Sequence, residues 1–159
     1  MRRRPVFLLS NVMSMLLINA SQGFAQPSKV CDLMTQKQAT VVFGGAVAPG
    51  RVEIATASMS DCRFDAPGGH FAEIGVMDAK AYGMPAAALF KAANQPSAGH
   101  TVESISGLGE QAILVKGPED LTLSVLYRDK ILIVSTTGSK NPGLRAAMID
   151  AARQALGKI

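Results

Sequence analysis

The chain has 159 residues, room for one domain with a real core but not for two. Sixteen Lys and Arg face twelve Asp and Glu, and the formal net charge is +4. Arg2, Arg3 and Arg4 crowd the start, and the other thirteen basic residues leave a net of only +1, which argues against the clustered basic surface that binding nucleic acid requires.

The first residues read as an export signal. Met1 to Arg4 is a charged n-region, and Val6 to Ile18 is an apolar stretch broken by Ser10, Asn11 and Ser14. Gly23-Phe24-Ala25 then sets small residues at the −3 and −1 positions of a cleavage site. Residues 1–25 are expected to be a signal peptide cleaved near Ala25. The apolar run of thirteen residues is shorter than the roughly 20 that span a bilayer, so no membrane span is expected after cleavage. Arg3-Arg4 hints at twin-arginine export, but Pro5-Val6-Phe7 fits that motif poorly, which favours the general secretory route. No Cys stands at the cleavage point to take a lipid. The expected location is secreted or periplasmic.

Residues 26–30 read as a short tether and residues 31–159 as a single domain. Both cysteines, Cys31 and Cys62, fall in that domain, and in an oxidising compartment they most simply pair. The rival reading, a redox pair, would want the Cys-x-x-Cys spacing that is absent here. Thr35-Gln36-Lys37-Gln38 forms a capping box, and Ala39, Val42 and Phe43 continue a helix that Gly44-Gly45 ends. Arg51 to Ser58 alternates as a half-buried strand. Asp61 to Asp65 suggests a second short strand, and His70 to Met77 a further one. Asp78 offers a helix cap that Gly83 and Pro85 interrupt, and a clearer helix covers Pro85 to Ala93. Asn94 to Gly99 is a loop. Ala112–Val115, Leu121–Tyr127 and Ile131–Thr137 are strands joined by hairpin-length turns, an antiparallel meander. Asn141-Pro142 is expected to cap a last helix with Leu144, Met148, Ile149, Ala152, Ala155 and Leu156 on one apolar stripe. The order is α-β-β-α-β-β-β-α, with a third strand in the first group as a variant. It predicts an α+β fold: a mostly antiparallel sheet covered on one face by helices, with one disulfide.

Several of these features occur together elsewhere. Cys31 opens a short helix ending at Gly44, Cys62 follows within a strand, and Gly107-Leu108-Gly109-Glu110-Gln111-Ala112 leads into the meander. From Cys31 to Leu156 the chain resembles a group of small bacterial exported proteins and lipoproteins of unknown function, marked by a Gly-(Leu/Val)-Gly-(Asp/Glu)-x-Ala step. The resemblance implies a compact α+β fold and a Cys31–Cys62 bridge, and it carries over no catalytic residue. Members are often lipidated, and this chain departs from them in lacking the lipidation cysteine.

Chemistry-bearing constellations are absent from the pattern. His70 and His100, the two histidines, read as lone surface residues and no metal site is expected. There is no Gly-x-Ser-x-Gly elbow. Gly107-Leu108-Gly109 precedes a strand, where a phosphate cradle would open a helix. No catalytic residue and no cofactor are expected. Three function classes remain. The first is a non-enzymatic binding or protein-interaction module of the cell envelope, using His70 at the Pro67–Gly69 turn and the Asn94–His100 loop. The second is a small-molecule carrier with a gap between sheet and helices. The third is an envelope hydrolase with scattered carboxylates, Asp65, Glu73 and Glu110 foremost. The partner is accordingly an envelope protein or a small ligand.

Overall fold

The computed structural model describes residues 27–159, and the expected signal peptide lies outside the described residues. Pro27–Asp32 forms a 3-10 helix. Residues 27–30 of the expected tether therefore lie in this helix, and Val30 anchors it in the core at 1% exposure. Thr35 opens α1 (Gln36–Phe43) with both arms of the capping box present. The Thr35 hydroxyl accepts from the Gln38 N–H, and the Gln38 side chain accepts the Thr35 N–H at 2.7 Å. These bonds satisfy donors that a helix start leaves free. Gly44 closes the helix in the left-handed region at φ 79°.

Seven strands follow: β1 (Arg51–Ala55), β2 (Met59–Asp65), β3 (Phe71–Asp78), β4 (Thr101–Ser104), β5 (Gln111–Lys116), β6 (Asp120–Tyr127) and β7 (Lys130–Thr137). They form one antiparallel sheet in the order β1-β2-β3-β7-β6-β5-β4. Two helices, α2 (Ala79–Tyr82) and α3 (Ala86–Ala93), fall between β3 and β4, and α4 (Leu144–Leu156) ends the chain. The α+β class, the antiparallel meander and the disulfide stand as read from sequence. β4 was not legible, because its four residues, Thr-Val-Glu-Ser, carry one apolar side chain. β1 is shorter than expected and wholly exposed, because it is an edge strand.

Helices occupy both faces. Successive strand side chains alternate between the faces of a sheet. Leu132 and Val134 of β7 join the main core with α1, α4 and the 3-10 helix. Ile131 and Ile133 turn the other way and meet Leu89 and Phe90 of α3 in a smaller second cluster. The sequence showed one helical cover because α3 buries only these two side chains. Doubly apolar strands such as β6, where Leu123, Val125 and Leu126 are all buried, signal the second cover.

Cys31 and Cys62 are bonded, with their Cα atoms 5.0 Å apart. The bond ties the 3-10 helix to β2. Gly109 explains the Gly-Leu-Gly step. Its φ is +62°, and an added Cβ would lie 2.5 Å from the Leu126 carbonyl oxygen of β6. Gly107 is also left-handed but faces open space. No helix among the described residues is long and apolar enough to cross a membrane.

Two outcomes follow for urea unfolding. Replacing both cysteines by Ala should lower stability by roughly 3–4 kcal/mol, the chain-entropy value for a loop of this length. Gly109→Ala should cost about 1–3 kcal/mol through backbone strain and contact with β6, and more than Gly107→Ala. An unchanged midpoint for Gly109→Ala would exclude that close packing.

Candidate functional site

α1 and α4 pack mainly on β3, β6 and β7. Beside them, over the end of β5 and the edge strand β4, lies an open groove of about 660 Å³. Its floor is set by register: Lys116 pairs with Leu121 and Leu121 with Thr136, one cross-strand row, with Leu114 and Glu103 in the next. The wall is the β7–α4 loop, Gly138 to Pro142, with Leu144 and Arg145 of α4. The β5–β6 turn, Gly117 to Asp120, and His70 form the lip.

The wall is held by polar contacts to the end of α1. The Ser139 hydroxyl donates to the Phe43 carbonyl at 2.9 Å, and Asn141 Nδ2 donates to the Val41 carbonyl. Asn141 does not cap α4 directly. Gly143 is the N-cap, and Asn141 Oδ1 accepts the Gly143 N–H at 2.7 Å. Anchoring the loop to α1 moved the cap by two residues.

The groove is of mixed sign. Arg145 reaches Glu103 across its mouth at 2.6 Å and holds that carboxyl below the usual carboxylate range by hydrogen bonding. Both side chains are over half exposed, so the pair contributes little to stability. Lys140, Glu119 and Asp120 add charge at the rim, and the floor mixes Leu114 and Leu121 with Lys116, Thr136 and Glu103.

The expected interaction residues separate. His70 lines the groove, its ring filling the space where Gly138 lacks a Cβ. His100 packs behind the lip against Gly117. Its Nε2 stands 3.6 Å from Asp120 Oδ2, beyond hydrogen-bond distance, and its buried Nδ1 has no partner among the described residues. Asn94 lies elsewhere, its Nδ2 donating to the Phe90 carbonyl at 2.7 Å at the end of α3.

The expected acids do not line the groove. Asp65 bridges Arg51 and Arg63 at 2.9 Å each, and these guanidiniums pull its carboxyl below the usual range. Glu110 accepts the Arg128 N–H at 2.7 Å. Glu73 is half-buried on β3 opposite Arg63. The groove's acids are Glu103, Glu119 and Asp120. Among the described residues no group of three or more His, Cys, Asp or Glu could hold a metal ion.

The site thus belongs to a disulfide-linked α+β domain with a helix layer on each face and an open groove at one end of the sheet. No protein-family model and no curated protein matches this chain. In structure it is similar to a GTP binding regulator from Thermotoga maritima, with 8% identity over 83% of this chain and 88% of that one and a TM-score of 0.47. A likeness so distant bears on neither the fold nor the site.

Burial pushes the Glu73 carboxyl above the usual carboxylate range, and Asp61 adds to the shift. The folded protein then keeps this proton to higher pH than the unfolded chain does. The carboxylate therefore disfavours folding above its folded pKa and is neutral in effect below its unfolded one. Glu73→Gln should raise the melting temperature at pH 7, with the gain vanishing below about pH 4. A gain that persists at pH 3 would mean that packing, not charge, is responsible.

Proposed function

We propose that this chain is an exported protein of the cell envelope, with a cleaved signal peptide, acting as a non-enzymatic binding module through the groove at the β4–β5 side. The observation carrying this reading is the groove itself: a recess of about 660 Å³ whose floor mixes leucines with polar side chains and whose rim is charged in both signs. Its floor is built on strands, which hold recognition groups rigidly. The disulfide agrees with an oxidising compartment. The mixed rim and open mouth suit a segment of another protein better than an apolar cargo, which a closed pocket would bury more fully.

Native mass spectrometry of the protein recovered from its own envelope fraction tests the reading. The expected mass corresponds to cleavage after Ala25 with one disulfide, together with a bound partner. Glu103→Lys with Glu119→Lys should lose that partner while leaving the fold intact, since both are surface positions. A bound small molecule instead would favour the carrier reading. Retention of the leader, or a partner that survives the double substitution, would overturn the proposal.

A further inference from the structure

We propose that the outer edge of β4 takes up an extended peptide segment of a partner protein in which basic and apolar residues alternate. This rests on the binding-module reading and deepens it.

The sheet has two edges, and they differ in regularity. At β1 the register slips between Val52 and Ile54, where the Ile54 N–H bonds the Asp61 carboxylate of the neighbouring β2 at 2.8 Å. Such irregularities are one way natural sheets blunt an edge. β4 ends the sheet on the other side, and its pairing with β5 runs without a slip.

The direction of its backbone groups follows from one bond. The Ile105 N–H donates to the Ala112 carbonyl at 2.9 Å, just beyond the end of β4. Hydrogen-bonded and non-bonded pairs alternate along an antiparallel ladder. Glu103 and Thr101 therefore bond β5, while Val102 and Ser104 turn their N–H and C=O groups outward. Among the described residues nothing in the sheet pairs with that side. A row of donors and acceptors spaced two residues apart is complemented by another extended backbone.

The side chains define which one. Val102 is 47% exposed and stands beside Val115 on the face away from the groove. Glu103 stands on the groove side. Arg145 contacts only its Oε1, through Nε and Nη2, so the second carboxylate oxygen is open to a further cation. A strand laid along β4 sets one series of side chains beside Val102 and the other beside Glu103, over the groove. Cross-strand preference asks for apolar, β-branched residues in the first series and Lys or Arg in the second. A second copy of this chain fits less well. β4 holds no basic residue, and two-fold antiparallel pairing with the faces aligned sets Glu103 against either its own counterpart or Thr101.

The probe is a capped hexapeptide of alternating Lys and Val, compared with its Glu/Val counterpart by calorimetry. The Lys/Val probe should bind at least about tenfold more tightly, equivalent to about 1.4 kcal/mol. Val102→Pro removes an outward N–H without removing a bond to β5, a position where edge strands tolerate Pro. It should weaken binding about tenfold with an unchanged melting curve. N-methylation of one alternate set of probe amides should abolish binding and of the other set should not, a readout that needs no variant to fold. Glu103→Lys should reverse the preference between the probes. Equal binding of both probes, or indifference to both methylation sets, would overturn the edge proposal. So would a concentration-dependent dimer that Val102→Pro removes, which assigns the edge to a second copy. If the probes fail while Glu103→Lys with Glu119→Lys still releases the native partner, the groove reading stands and the edge alone falls.

Discussion

The ladder between β3 and β7 is the constraint on which the rest of the molecule depends. All eight residues of β3 pair there, Phe71 with Thr137 through Asp78 with Lys130. Every other pairing in the sheet joins strands that are neighbours in sequence. This one closes a loop of about fifty residues, a loop-closure entropy that hairpins largely avoid. It fuses β1-β2-β3 and β4-β5-β6-β7 into one sheet. It also sets parity: with Ile74 opposite Val134 on the main face, Ile133 must point to the opposite side. A slip of one residue would turn both apolar sets to the wrong layer.

From that register the two layers follow. The main layer is closed by α1, α4 and the 3-10 helix, the last held to β2 by the Cys31–Cys62 bond. The second layer is only α3 on Leu126 and Ile131. The helices pack mainly on the centre of the sheet, β3, β6 and β7, and β5 adds Ala112 and Leu114 to the same core. The groove lies beyond the start of α4, over Lys116 at the end of β5 and Glu103 of β4.

The protein's two sheet edges also differ. β1 slips register against β2 between Val52 and Ile54. β4 lies at the far side, paired with β5 without a slip and joined to it by the tight glycine turn that packs on β6. The groove opens beside the β4 edge, which sets a backbone ladder and a charged recess next to each other. Side chains at the lip are positioned by packing: Gly138 admits the His70 ring, and Gly117 lies against His100 and Asp120.

Local signals were legible wherever the physics was local. The capping box at Thr35, the left-handed Gly44, the hairpins around β6 and the stripe on α4 all depend on residues within a few positions of one another. The α+β class followed from their order, and the cysteine pair from its count and spacing. Short or one-sided elements were not legible. The residues of β4 acquire strand geometry from β5, and Pro27–Asp32 becomes structured because Val30 is buried in the core and Cys31 is bonded to Cys62 of β2. The site was legible only at His70. Glu103, Lys116, Leu121, Thr136 and Arg145 are scattered over more than forty positions and meet because successive strands β4 to β7 pair in register and α4 folds back over β6 and β7. Sequence pattern sets which face of each element seeks the core, since that is written in side chains a few residues apart. Only the non-local pairing decides which elements share a face, and hence where a recess and an open edge remain.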